Sequence, residues 1–404
     1  MPSIEGSGYP LVFQVPDGTS TTPQADQPNS LSVPSLNVRA YVRAFGGMQK
    51  EAVVALSTGE TWRLVSDEGP YLNGTDLAPF PLGHFQAGMQ FSLMAEILKH
   101  AKAESITLKA IEFSQVNGYS MDGSALRGTM TGGAIPVEVQ INIEADADEA
   151  TIGSIIRKAE QSSPAHALMR DLLENTFALR YNNQVLDLPD LTASSIASPD
   201  SSDLAAMYAK VQPDEAANFM ADIITKQEAA EVIHGVEGGA SSSLQESQKR
   251  QLHVMGTSRW LGGTLMEATT QVVKPIGSLF RFLCDVGDGE TGGAKTPPPL
   301  AYLSAGVGFC YMTQLGRYAH IKKYHLESYQ IIQDNSYIEG NGDTPGSSSI
   351  FDTHVYLDAD ETDSEAQKTV TMGEQTCFLH AAMRDIFPTN IAAQLNGEAI
   401  KIPS

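Results

Sequence analysis

Alternating apolar and polar positions predict strands over 52–56, 61–66, 264–273 and 279–285, because a half-buried strand repeats every two residues. A Gly/Pro-rich loop follows each pair. Next comes a long, mostly apolar stretch, 81–101 or 298–321. These stretches have helical length and few charges, so each predicts a helix buried nearly all round. Two more strands follow each helix: 105–116 with 136–144, and 326–336 with 349–357. An acidic run then leads into a helix, from Glu144 to Glu149 or from Asp358 to Asp363. Negative side chains complement the positive end of the helix dipole there. A last helix begins near Ser163 or Cys377, and a final strand closes each series.

The two series read as one pattern written twice. Shifted by 218 residues, 61–67 falls on 279–285, Pro81-Leu82 on Pro299-Leu300, and Ala87-Gly88 on Ala305-Gly306. With an offset of 214, EQSSPAHALMRD (160–171) falls on EQTCFLHAAMRD (374–385), identical at seven of 12 positions. A repeat of this length sets the domain organisation. It predicts domain 1 over 36–190 and domain 2 over 251–404.

Residues 1–35 are rich in Pro, Ser, Thr, Gln and Gly and read as an extended N-terminal arm. The connector, 191–250, shows helical patterns over 203–211 and 213–232. There Met207, Phe219, Met220, Ile223 and Ile224 predict helices packed on the body. Apolar residues make up 42% of the 404 residues, enough for a core, and the net charge is −22. Such acidity argues against nucleic acid and anionic membrane surfaces as partners. No apolar run predicts a membrane span, and no signal-peptide pattern opens the chain, so the expected location is cytoplasmic. Three cysteines do not make a disulfide framework.

The run from Gly292 to Cys310, GGAKTPPPLAYLSAGVGFC, resembles the glycine-rich loop, Thr-Pro turn and cysteine-bearing helix of the OsmC/Ohr superfamily. A second cysteine, Cys377 in GEQTC, follows by 67 residues, as a second family cysteine does at the start of the last helix. The resemblance implies an α+β fold: two OsmC-like domains, each a bent antiparallel sheet around long central helices, joined as an intramolecular pseudo-dimer. Family members form intertwined homodimers with sites at the interface. Their characterised chemistry is reduction of organic hydroperoxides by a reactive and a resolving cysteine, recycled by thiols.

On that resemblance Cys310 is the nucleophile and Cys377 the second thiol; read alone, each is also a small buried hydrophobe. The first copy carries Ser92 and Ser163 at the matching positions, so it predicts a degenerate site. The peroxidases of the family have a glutamate ten residues before the first cysteine, where this chain has Leu300. For their thiolate-stabilising arginine the candidates are Arg281 and Arg259, although Arg281 has a counterpart in Arg63 and so also reads as structural. His380, three residues after Cys377, is a candidate proton carrier, but His166 holds its place beside Ser163, which suits a packing role equally. Leu300, Tyr302, Leu303 and Phe309 are candidate substrate-binding walls, with His84 and Ser92 from the first copy. Cys284, aligned with Ser66, reads as structural.

Gly287 to Gly292 spells GxGxxG, but two acidic residues and the prolines that follow make it a poor phosphate loop. His320 and His325 lack a third ligand, so no metal or cofactor is expected. Three functions remain. One is a thiol peroxidase acting on a small apolar organic substrate, with an external thiol reductant. Another is a cofactor-independent hydrolase, lyase or addition enzyme using the same inter-domain pocket. The third is a non-catalytic ligand-binding pseudo-dimer. A homodimer of pseudo-dimers is a possible assembly.

Overall fold

A computed structural model describes residues 2–20, 35–216, 219–231, 248–287 and 295–403. The first half contains α1 (Ile4–Ser7), β1 (Val12–Gln14), β2 (Leu36–Ala44), β3 (Lys50–Leu56), β4 (Thr61–Ser66), α2 (Pro81–Ala103), β5 (Leu108–Gly123) and β6 (Thr131–Ala145). It continues through α3 (Glu149–Ser162), α4 (Pro164–Arg170), β7 (Thr176–Tyr181) and β8 (Gln184–Leu186), and α5 (Ser201–Tyr208) follows. The second half runs β9 (Ile224–Glu228), β10 (Gln248–Gly262), β11 (Leu265–Lys274), β12 (Leu279–Asp285), α6 (Pro299–Lys322), β13 (Leu326–Ile338), β14 (Ser347–Ser348) and β15 (Asp352–Ala359). It ends with α7 (Asp363–Thr376), α8 (Phe378–Met383), β16 (Thr389–Leu395) and β17 (Glu398–Ile400). The fold is α+β, and no described helix is long and apolar enough to cross a membrane.

Both sheets draw strands from both halves. One runs β1-β4-β3-β2-β13-β15-β7-β8, with β14 beside β13; the other runs β17-β16-β6-β5-β10-β11-β12-β9. The junctions are long antiparallel ladders, Leu36↔Tyr337 to Arg43↔Gln330 and Glu112↔Arg259 to Gly123↔Gln248. The expectation of antiparallel sheets needs correcting at two places, because β7 pairs β15 and β6 pairs β16 in parallel. In each parallel pair one strand comes from each half, so no short hairpin constrains its direction.

Between the sheets, α2 and α6 cross in close contact and are buried along most of their length. Proline at N1 starts each helix, where a missing N–H costs nothing. A side chain at Gly88 would sit 2.7 Å from the Pro299 carbonyl oxygen, and one at Gly306 would sit 2.6 Å from the Phe85 amide. The two glycines therefore let the backbones meet. The acidic runs do cap helices: Asp148 accepts from the Thr151 amide, and Thr362 with Glu365 forms a capping box.

Three further contacts occur twice. Glu51 pairs with Arg43 at 2.6 Å and Arg63 at 2.8 Å; Glu267 pairs with Arg259 at 2.9 Å and Arg281 at 3.6 Å. Asn182 clasps the Ala359 backbone with bonds of 3.1 and 2.9 Å, and Asn396 clasps that of Ala145 with bonds of 3.1 and 3.0 Å. Edge strand β1 pairs with β4 as β9 pairs with β12, and Arg63 donates to the Pro10 carbonyl as Arg281 donates to that of Asp222.

The last of these corrects the expected connector. Among its described residues only Ser201–Tyr208 is helical, and Ile224–Glu228 is a strand on β12. An open sheet edge offered these residues ladder bonds and a place to bury Ile223 and Ile224. Part of the expected arm is likewise strand β1, while 21–34 lie outside the described residues, as does most of the GxGxxG stretch.

Candidate active site

Cys310 lies midway along α6, 2% exposed, and Cys377 is the fully buried N-cap of α8. The Cys377 thiol donates to the Cys310 sulfur across 3.4 Å, and both are free. A disulfide would need about 2.05 Å, so the pair stands in contact but unbonded. Burial, and then the hydrogen bond to and charge of Cys310, hold the Cys377 thiol well above its ordinary pKa. Cys377 is thus the donor of the pair and Cys310 the acceptor.

Cys310 opens on a cavity of about 30 Å³, room for roughly one or two waters. Its apolar lining is Leu72, Phe80, Leu82, Leu252, Val272 and Phe378, and its polar lining includes Glu68, Tyr71, Arg250, Thr313, Gln314 and Arg317. Thr313, Gln314 and Arg317 follow Cys310 by three, four and seven residues, which places them on its face of α6. Arg250 comes from β10, Phe378 from α8, and Glu68 and Leu82 from the first half of the chain.

Glu68 accepts hydrogen bonds from Tyr71 at 3.2 Å and from Thr313 at 3.3 Å. Burial pushes its pKa up, against the pull of Lys50 and Arg317. Burial also lowers the pKa of Arg317, Lys50 and Arg250, the last to about 9.

The arginines near the thiol are therefore Arg250 and Arg317 rather than Arg281 or Arg259. Arg281 donates to Thr225 at 3.2 Å and to the Asp222 carbonyl at 2.7 Å, which binds edge strand β9 to the sheet. Leu300, Tyr302, Leu303, Phe309 and His84 are not among the residues lining this cavity. Tyr302 donates to the Leu283 carbonyl at 2.8 Å, and its ring packs near His84, Phe91 and Phe282. Phe309 lies 5.3 Å from the His84 ring, and Leu303 backs onto Gly88. The physical reason is the helix crossing. Cys310 faces the start of α2, so the wall is Leu82, the counterpart of Leu300 in the 218-residue frame.

His380 packs between Phe177 and Tyr311, and neither ring nitrogen has a hydrogen-bond partner among the described residues. Burial, and then Arg384, push its pKa down to about 3. In the first half, Ser92 lies 2.8 Å from Ser163, which in turn lies 2.9 Å from His166 Nδ1. Two hydroxyls thus occupy the same relation as the two thiols. Cys284 is buried, with its thiol 3.6 Å from the Pro297 carbonyl.

Sequence reasoning passed over Glu68, Arg250, Thr313, Gln314 and Arg317. A helical wheel from Cys310 carries a signal for the last three; none exists for Glu68 or Arg250, which only the fold brings there.

No curated protein matches the chain. Among solved structures it is similar to the OsmC-like hydroperoxide resistance protein from Jannaschia sp. CCS1. The identity is 19%, over 36% of this chain and 95% of that one, with a TM-score of 0.23. The segment holding both Cys310 and Cys377, residues 292–392, matches the family model described as OsmC-like protein.

Proposed function

We propose that the chain is a thiol peroxidase of the OsmC type, with Cys310 as nucleophile and Cys377 as resolving thiol. The observation that carries this reading is the 3.4 Å contact between the two sulfurs, with one of them opening on a cavity. The Cys310 thiolate attacks the distal peroxide oxygen, the O–O bond breaks, and the alcohol leaves with a proton. Cys377 then attacks the sulfenic sulfur, water departs, and a disulfide remains. An external thiol supplies the two electrons that reopen it. Glu68 takes the place of the carboxyl missing at Leu300.

We also infer that residues 36–190 and 251–404 are two copies of one OsmC-like domain forming a pseudo-dimer. The repeated Arg–Glu–Arg knot, asparagine clasp and glycine crossing support this. The matching edge strands β1 and β9 extend each copy beyond those boundaries.

The test is thiol titration of the native protein before and after one equivalent of cumene hydroperoxide. Two of the three thiols are expected to vanish as a Cys310–Cys377 disulfide, leaving Cys284. Cys310→Ser is expected to consume no peroxide. Cys377→Ser is expected to consume one equivalent and stop, with a sulfenic acid on Cys310. Unchanged thiols in the native protein would sink the peroxidase reading.

A further inference from the structure

Two buried five-residue runs match in the 218-residue frame: Gln115-Val-Asn117-Gly-Tyr119 on β5 and Gln333-Asp-Asn335-Ser-Tyr337 on β13. Their tyrosines differ in one respect. The Tyr337 hydroxyl lies 2.9 Å from that of Ser304, whereas the Tyr119 hydroxyl makes no hydrogen bond among the described residues. Gln86 stands where the second half has Ser304. It turns instead to the carbonyls of Gln115 and Val254 and to Asn117 Oδ1. Resting on the thiol reading above, we propose that the Tyr119 hydroxyl donates a hydrogen bond to Cys310 when that residue is a thiolate.

The sheet puts Tyr119 beside the thiols. Its partner across the β5–β10 ladder is Leu252, and directly opposed residues share one face of a sheet. Leu252 lines the Cys310 cavity, as does Phe378, whose ring lies 5.5 Å from that of Tyr119 and which directly follows Cys377. Asn117 acts on the tyrosine too, but not as an acceptor. Its oxygen takes hydrogen bonds from Gln86 at 3.1 Å and Gln115 at 2.8 Å. Only its amide nitrogen, 3.5 Å from the Met89 sulfur, is left to face the tyrosine. The proton of the Tyr119 hydroxyl is therefore unspent, and an unpaired donor in the interior is costly unless some state of the protein uses it. Burial, then the charge of Cys310, push the Tyr119 pKa up, so the phenol remains a donor while Cys310 is charged. In the resting pair Cys377 already donates to Cys310; a thiolate sulfur accepts more than one such bond.

The test is the pH profile of Cys310 alkylation in the full-length protein. The thiolate displaces iodide from iodoacetamide, and peptide mass spectrometry separates Cys310 from Cys284 and Cys377. Tyr119→Phe removes one buried hydroxyl and nothing else. It is expected to move the midpoint of the profile up by about one pH unit, so that the rate below the midpoint falls about tenfold. Tyr337→Phe, the same change at the matching position, should leave the profile in place. The other titratable groups around Cys310 are common to both variants: Cys377 on α8, Arg317 on α6, Arg250 on β10, Lys50 on β3, and Glu68 with Tyr71 after β4. An unmoved midpoint in Tyr119→Phe overturns the proposal. So does an equal shift in both variants, a fall in rate at every pH without a shift, or a Cys310 that is alkylated at no pH. Because alkylation needs no peroxide, a shifted midpoint in a protein inert to cumene hydroperoxide would leave the role of Tyr119 standing and remove the peroxidase.

Discussion

His84, His166 and His380 are held neutral in the interior, with pKa values pushed down to about 3, 4 and 3 by burial. An unfolded histidine takes up its proton near pH 6.5. Below that pH the unfolded state binds more protons than the folded one, so this stabilisation is complete above 6.5 and is lost as pH falls toward the folded values. Each group contributes up to about 1.4 kcal/mol per pH unit in that window. Glu96 acts in the opposite sense. Burial pushes it up to about 7, so it costs stability as pH rises from the ordinary carboxylate range. A comparison of variants separates the two. His380 makes no described hydrogen bond through its ring and lies between Phe177 and Tyr311, so His380→Phe should be tolerated at pH 7.5. Between pH 7.5 and 5.5 its melting temperature should fall less than that of the native protein. An equal fall would mean that His380 does not titrate on unfolding.

At the scale of elements, the two central helices and strands 61–66 and 279–285 were legible in the sequence. A long apolar stretch has few alternatives to a buried helix, and strict alternation has few alternatives to a strand. The connector was not legible. Ile223 and Ile224 suit a helix as a window of sequence, but their strand partner, β12, begins more than fifty residues later. Tertiary pairing overrode local preference there. The helix crossing yields a quantitative expectation. Gly306→Ala gains up to about 1 kcal/mol of helix propensity. Its methyl, however, would meet the Phe85 backbone at 2.6 to 2.9 Å, where no side chain can rotate away. Overpacking of that kind costs about 1–3 kcal/mol, so the net effect should be destabilising, with Gly88→Ala comparable. Chemical denaturation checks this, and an unchanged midpoint for both variants would contradict the crossing.

For the whole molecule, the candidate site divides by sequence distance. Cys310 and Cys377 were legible because they lie in one half and keep a family spacing. Glu68 and Arg250 were not, because the cavity is assembled from strands and loops of both halves. If the halves are copies, the Ser92–Ser163 contact is the thiol site with two atoms exchanged. Replacing both by cysteine should then place two more sulfurs in contact. Ser92→Cys with Ser163→Cys, in a background lacking Cys310 and Cys377, should form an internal disulfide under mild oxidation. It should reduce peroxide far more slowly than the native pair, since the position matching Glu68 is Val286. Peptide mapping under non-reducing conditions decides it; two thiols that never join would argue against equivalent geometry.

The shared sheets also dictate how the chain is made. Strand β2 leaves the ribosome early, but its neighbour β13 begins at Leu326, about 290 residues after Leu36. At roughly 5–20 residues per second, synthesis of that interval takes about 15 to 60 seconds. Throughout it, β2 has an unpaired edge, and for most of it the apolar helix α2 has neither β11 nor α6 to cover it, since they begin only at Leu265 and Pro299. The N-terminal half cannot finish folding as a unit and then wait for the other. Nearly the whole polypeptide must be present before either sheet can close, so this protein spends its nascent life dependent on whatever shields exposed strands and apolar helices in its cell.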